Sequence, residues 1–592
     1  MASTELEEEQ QIESPATNEI VLEPKLGPEW ALAPIHLGVV AVFGVLFMTF
    51  NYMPLRATDL WGHVAYGQWI LEHRALPTAD PVLPLAEGMR VVDSAWLSQV
   101  IFAAAEQAGG PEALSTLFAL VSIASLAVMT RVFWLQSHRI GVMLLGLLGI
   151  LIVGLSRLGT IRPENFGVLC FALLLWVFAS EQNRARANAT NSDDDRGDAK
   201  SRGTWLPWIA VPVLMAVWAN LHGSFVCGLA LLFCMFAGAL IDSLWHTRDF
   251  VRSLADKAVR RRLYLLELGV AATLLNPYGL DLLLYTLWFA NNENLKDVLE
   301  WRPLTILGVG GREFALSWVV LLVVLRHSRQ RVRAADVLLL GLFTLAAITG
   351  VRMMSWYAMS FVYVIVPHLT DLWNRFVPAR WREWEVPLEL DEAPQEQFGM
   401  RRGRTFNYTL IGLLLVWIVF ALSPIGRPVV GDEPRQPQLL YDNDTPHELT
   451  AYLRENPTPA GLTFCPQWWG DWLVWDGPEG LRPFMTTNLH LAPRQVWRDY
   501  QAVSAGVSGW TNALDRYNTK AMIVDKDKQA TLARSARRSS AWEIVHEDEM
   551  ALVLVRREPT VATASESAAD AAEPTEPSDD AAADPAAAES SN

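Results

Sequence analysis

Four cysteines, Cys170, Cys227, Cys234 and Cys465, are spread over 592 residues. Three fall inside apolar runs and the fourth stands alone, so neither a disulfide framework nor a zinc knuckle is written in the spacing. Surplus positive charge is missing too: 48 Lys and Arg face 64 Asp and Glu, for a net charge of −16. That removes the electrostatic basis for nucleic-acid binding. The acidic surplus is itself displaced to the ends. Residues 1–29 hold eight Glu and one Lys, and residues 558–592 hold nine acidic residues and no basic one. Both ends are poor in bulky apolar residues, so 1–30 and 558–592 are expected to be disordered tails, the first of them cytoplasmic. No cleavable signal peptide is evident; the run at 34–53 is long and reads as an uncleaved signal anchor. No repeat relates the two halves of the chain, as many transporters would show.

What is abundant is apolar sequence, 51% of the residues, with 25 Trp. It comes in repeated runs of roughly 17–25 residues, the length that crosses a bilayer. Eleven spans are expected, at about 33–53, 111–134, 140–157, 164–180, 205–220, 223–245, 263–279, 313–326, 335–350, 354–374 and 406–424. The expected fold class is an α-helical polytopic membrane protein, with a transmembrane domain over 31–427 and a first outer loop over 54–110. Lys and Arg concentrate in alternate loops, at 135–139, 181–204, 246–262, 326–333 and 375–405. Such loops mark the cytoplasmic side. The N-terminus is therefore expected inside and everything after Pro424 outside.

The opposite loops carry polar, aromatic and helix-breaking residues together. "TDLWGHVAYGQWI" begins at Thr58, just after the first run. On a helix Asp59 and His63 share a face, with Tyr66 nearby. The plain alternative is that Thr58 or Asp59 caps a surface helix and His63 is solvated. Further along come "IRPENFG", "WANLHGSF", "LLNPYGL", "LEWRP" and "GVRMMSW". Asn and Pro end helices at turns, which suits "NPYG". Arg162, Glu164, His222 and Arg352 are different, because a charge at a span end is costly without a partner. Within the first outer loop Asp80 suits a turn, while Asp93 and Ser94 suit the cap of a helix of about sixteen residues that ends at Gly109 and Gly110 and lies on the outer surface.

The tail-end domain, about 428–557, reads as a small layered α/β unit. "GLTFC", "DWLVWD", "RPFMTT", "KAMIVDK", "WEIVHED" and "MALVLVRR" look like strands; "APRQVWRDYQAV" and "GWTNALDRY" look like helices. It carries no nucleophile elbow, P-loop, HExxH or CxxC, so binding or acceptor presentation is expected of it rather than independent chemistry.

A first span, a long outer loop that opens with an acidic residue, many further spans and an external domain: this arrangement resembles the GT-C class of membrane glycosyltransferases. "DLWGHVAYGQWILEHRALPTADP", "SAWLSQVIF", "IRPENFGVL", "WANLHGSFVCGLALL" and "LLNPYGL…LEWRP" resemble a bacterial group of GT-C-like multi-span proteins, over about 54–360. The resemblance implies inverting transfer of a sugar from a polyprenyl-phosphate donor to a glycan, lipid or protein acceptor at the outer face of the inner membrane. Asp59 matches the acidic residue that acts as base, or helps hold a divalent metal in some members. An acceptor hydroxyl needs such a carboxylate. The departing phosphate needs cations, for which Arg162, Arg352 and Arg302 are the candidates. His63 would orient Asp59, donate to phosphate or ligate a metal; two ligands alone are short of a metal site. Glu164, His222, Asn220, Asp80 and Asp93 complete the expected substrate-binding set. "CPQWWGDWLVWDG" resembles the "WWDYG" signature of oligosaccharyl transferases with its order disturbed, and an aromatic strand pair packing the domain onto the membrane surface is the expected role. A flippase of lipid-linked sugar and a catalytically silent protein that keeps the fold remain the alternatives.

Overall fold

The structure is a computed structural model that describes residues 34–56, 58–86, 88–154, 157, 159–190, 205–379 and 402–557. Both expected tails lie outside the described residues. The helices, in chain order, are α1 (Pro34–Asn51), α2 (Asp59–His73), α3 (Trp96–Ser137), α4 (Ile140–Val153), α5 (Glu164–Thr190), α6 (Leu206–Leu221), α7 (Phe225–Thr247), α8 (Lys257–Thr273), α9 (Leu280–Phe289), α10 (Gly311–His327), α11 (Ala334–Thr349), α12 (Met354–Phe376) and α13 (Arg402–Leu422). A helix thus lies in every one of the expected apolar ranges. Among the described residues three stretches are long and apolar enough by themselves to cross a membrane: Trp96–Ser137, Glu164–Ala187 and Phe225–Thr247. Several others, such as Ile140–Val153 and Ala334–Thr349, are apolar but shorter. α9 falls in a stretch expected as loop.

α3 is two helices joined end to end. Gly109 and Gly110 leave helical geometry, Gly110 with φ 64°, and Pro111 follows them. The amphipathic first part therefore leans away from the apolar second part, with the break where the sequence places it. Inside the bundle, Trp218 and Trp356 lie 5.8 Å apart, with Phe171 5.4 Å from Trp356. On the outside, Leu144, Leu148, Ile209, Val213, Phe233, Leu322 and Leu345 are exposed. Apolar side chains facing outward along helices are what a lipid environment covers.

α2 lies against the first part of α3. A Cβ on Gly67 would stand 2.0 Å from the Gln99 carbonyl oxygen, so only glycine permits this approach. That contact sets His63, one turn earlier on α2, beside the Gln99 side chain.

The last domain holds a five-stranded sheet in the order β2-β1-β3-β5-β4, with β1 (Leu462–Phe464), β2 (Arg482–Pro483), β3 (Thr519–Asp525), β4 (Trp542–Glu547) and β5 (Ala551–Arg556). β1 runs parallel to β2 and β3; β5 runs antiparallel to β3 and β4. α14 (His447–Glu455), α15 (Gln467–Asp476), α16 (Arg494–Ser504), α17 (Trp510–Arg516) and α18 (Ala530–Arg537) complete it.

One strand reading is corrected: "DWLVWD" lies in helix α15. The alternation misleads because both sides of this helix are covered. Trp469 and Leu473 pack with Ile523 and Val553 of the sheet. Trp472 joins Trp61 of α2, with rings 5.0 Å apart, in the cluster between the domains. The spacing of four residues between Trp469 and Leu473 is helical.

Besides the contact of α15 with α2, the domain is clasped to the helical part by several further bonds. Leu55 bridges to Tyr441, with Leu55 N donating to Leu440 O at 2.8 Å. The Arg435 side chain, 2% exposed, pairs with Glu112. Asn294 Nδ2 donates to Leu489 O at 2.8 Å and Ala492 O at 2.9 Å.

Candidate active site

A cavity of about 560 Å³ lies where the helical part meets the last domain. α2 supplies Asp59, His63 and Tyr66. The turn before α3 adds Asp93 and Ser94, and the turn before α5 adds Arg162 and Glu164. His222 to Ser224 come from the α6–α7 link, and Glu300, Trp301 and Arg352 from the turns around α10 and α11. Trp468 and Thr487 to Leu491 of the last domain close the top.

Thr58, not Asp59, caps α2; its hydroxyl accepts from Leu60 N at 3.5 Å. Asp59 is thereby free to turn to Arg162, with Oδ1 3.2 Å from Nε. Arg162 Nη1 also lies 2.6 Å from Glu300 Oε1. Arg157 reaches both Glu300 and Glu164, each at 3.3 Å. Burial alone would raise the Glu300 carboxyl, but the Arg162 and Arg157 guanidiniums push it down to about 2. Burial works against the charge on Arg162, and Asp59 and Glu300 overcome it and raise that pKa. The Arg352 guanidinium stacks 4.2 Å over the Trp301 ring. No hydrogen bond or ion pair of Arg352 occurs among the described residues, so this cation has open donors.

Gln99 Nε2 donates to His63 Nδ1 at 3.3 Å and to Asp93 Oδ1 at 3.1 Å. An amide NH₂ can only donate, so His63 Nδ1 is the acceptor and the ring proton sits on Nε2. Burial lowers the His63 pKa and keeps the ring neutral, against the pull of Asp59. His222 is fixed in the same way: Ser224 N donates to its Nδ1 at 3.1 Å. Tyr66 donates to Asp80 and accepts from Asn488 Nδ2 at 2.9 Å, tying α2 to the roof.

The cavity brings together Asp59, His63, Arg162, Glu164, His222, Arg352 and Asp93 from the sequence-derived set. Three others stand elsewhere. Arg302 is exposed and donates to Asp297 O at 3.2 Å; the turn Leu299–Trp301 ends just before it, and the chain leaves extended. Asn220 spends its amide on structure, accepting from Trp96 Nε1 at 3.0 Å and donating to Ala216 O and Leu275 O at 2.8 Å. Asp80 holds a turn through Val82 N and Leu83 N, both at 2.8 Å, and reaches the cavity only through Tyr66. "NPYG" is a turn, with Tyr278 N donating to Asn276 Oδ1 at 2.7 Å.

Sequence reasoning passed over Glu300, Gln99, Tyr66 and the Thr487–Leu491 segment as site residues. Glu300 and Trp301 lie in "LEWRP", which was singled out for its arginine; the partner of a span-end arginine was the signal available. Trp468 lines the cavity, whereas Trp469 is buried in the domain and Asp471 lies just behind the wall.

A metal fits this donor set poorly. No group of three or more His, Cys, Asp and Glu placed to hold an ion occurs among the described residues, and Asp59 faces a guanidinium.

The fold resembles that of a solved archaeal oligosaccharyltransferase. The archaeal oligosaccharyltransferase AglB from Archaeoglobus fulgidus, solved with an inhibitory peptide and a dolichol-phosphate, superposes with a TM-score of 0.50. The two share 12% identity, over 86% of this chain and 73% of that one. The oligosaccharyltransferase of the same organism tethered to an acceptor peptide also gives a TM-score of 0.50, with 12% identity over 90% of this chain and 75% of that chain. ArnT from Cupriavidus metallidurans gives 0.46, with 13% identity over 88% of this chain and 97% of that chain. No family model and no curated protein matches the sequence.

Proposed function

We propose that this protein is a membrane glycosyltransferase that moves a sugar from a polyprenyl-phosphate donor to an acceptor at the outer face of a bacterial inner membrane. The observation that carries the reading is Arg352: a guanidinium in the cavity, stacked on Trp301, with no hydrogen bond or ion pair among the described residues. A departing lipid phosphate is the anion that such a group serves. Arg162 lies on the same wall as a second cation, held charged by Asp59 and Glu300. His63 and His222 present Nε2–H donors once their Nδ1 atoms are engaged. The aromatic rings of Trp301 and Trp468 offer apolar faces to a sugar. The likeness of the fold to a protein solved with a dolichol-phosphate supports the lipid-linked donor.

Undecaprenyl phosphate binding to the purified chain tests this. Arg162→Ala with Arg352→Ala is expected to weaken binding at least tenfold, and Lys at both positions to restore it only in part, since Lys lacks the planar fork. Equal binding with both arginines removed would refute the phosphate site.

The orientation is part of the same reading: N-terminus cytoplasmic, residues 428–557 outside. Single-Cys labelling should find Thr190→Cys reactive from the inside and Glu479→Cys from the outside. Labelling of both from one side would overturn it.

A further inference from the structure

We infer that Asp93, rather than Asp59, takes the proton from the acceptor in this cavity. The inference rests on the glycosyl-transfer reading and assigns one step within it. Four carboxylates line the cavity: Asp59, Asp93, Glu164 and Glu300. Among the described residues three of them are ion-paired, Asp59 with Arg162, Glu300 with Arg162 and Arg157, and Glu164 with Arg157. Asp93 faces no cation among them. Each paired carboxylate has an oxygen engaged by a guanidinium, and Asp59 is placed to hold Arg162.

Asp93 is set up differently. Its Oδ1 accepts from Ala95 N at 2.9 Å and from Gln99 Nε2 at 3.1 Å, which fixes the plane of the carboxyl group. Its Oδ2 is buried without a partner on a residue only 8% exposed. Glu164 Oε1 is unpartnered as well, but its other oxygen faces Arg157. Burial lifts the Asp93 pKa to about 6, against the two hydrogen bonds and with some help from Asp80. A base of that strength is half ionised at about pH 6 and mostly ionised at neutral pH, close to where general bases act best. The other titratable groups around it are His63, joined through Gln99, and Tyr285 and Tyr278, whose hydroxyls burial keeps neutral.

The step balances as follows. The acceptor oxygen forms a bond to the anomeric carbon, and the bond from that carbon to the phosphate oxygen breaks, leaving its electron pair on the phosphate. The acceptor proton passes to Asp93 Oδ2 and from there to water. Arg352 and Arg162 face the charge that the phosphate gains.

The test uses the full chain in detergent with a polyprenyl-phosphate-linked hexose as probe and water as the acceptor, its hydrolysis to hexose and polyprenyl phosphate followed by mass spectrometry from pH 5 to 8. Wild-type turnover should fall below about pH 6 as Asp93 takes a proton. Asp93→Asn should lose about 10²–10⁴ in turnover and the acid limb with it, while still binding undecaprenyl phosphate. Gln99→Leu removes a donor that favours the ionised form, so its acid limb should move to higher pH. Asp59→Asn should keep the acid limb and raise KM. Wild-type turnover by Asp93→Asn, or an unshifted limb in Gln99→Leu, would overturn the assignment. A wild-type chain that does not consume the probe overturns the parent reading instead.

Discussion

Gly62 stands so close to Asp471 that an added Cβ would lie 2.3 Å from the carboxylate Oδ1 and 2.8 Å from Cγ. Here α2 of the helical part meets α15 of the last domain, one turn from Asp59. Gly62→Ala is expected to prise the two apart and to lower Tm by several degrees, as an overpacked core site does at about 1–3 kcal/mol. Shortening the opposing side chain should make room, so Gly62→Ala with Asp471→Ala should melt above Gly62→Ala alone. Thermal melts of the three variants check this; a double variant no better than the single one refutes it.

Asp471 also makes the join sensitive to pH. Burial raises its carboxyl to about 7, Thr487 pulling down and Asp59 and Asp80 adding to the rise. Between the usual carboxylate range and pH 7 the folded protein holds a proton that the unfolded chain does not. Its contribution to stability therefore declines as pH rises through that window. Asp471→Asn should flatten the decline, gaining Tm on wild type at pH 8 but not at pH 5. Melts at the two pH values measure it.

The first turn of α2 separates capping from chemistry. Thr58→Ala should cost about 0.5–2 kcal/mol through the lost cap. Asp59→Asn should leave the cap intact while loosening Arg162, seen as weaker undecaprenyl phosphate binding. An equal loss of stability in both variants would return Asp59 to a structural role.

Arg435 and Glu112 form a buried pair, 2% and 14% exposed at their side chains. Removing one partner strands the other, so Arg435→Ala should cost about 3–5 kcal/mol. Arg435→Met with Glu112→Leu should recover much of that loss. Denaturation of the single and double variants gives the comparison.

The sequence was most readable where one physical rule dominated. Apolar runs of membrane length carry helices, because no other backbone arrangement satisfies itself in lipid. The break at Gly109 and Gly110 was legible for a similar reason: Gly-Gly-Pro cannot continue a helix unbent. The cavity was legible in part. Arg162, His222 and Arg352 stood out because charge at a span end demands a partner, but the partner Glu300 lies in a distant turn and has no local signature. Arg302 was misjudged because a turn aims adjacent residues in different directions, and spacing alone does not say which one faces inward. "DWLVWD" was read as a strand because a helix buried on two sides hides its period. The docking of the last domain was beyond reach, since it depends on Gly62 lying opposite Asp471.

The walls of the cavity run in sequence from Thr58 to Leu491. A ribosome makes the chain in that order, so the segment bearing Asp59 and Asp93 exists long before the segment that roofs it. Until residues 487–491 fold back, Asn488 cannot reach Tyr66 and the Arg352 wall lies open to solvent. A nascent or truncated chain that ends before α15 carries every charged group of the cavity floor and no enclosure around them. Enclosure of the cavity therefore waits on synthesis of the last domain.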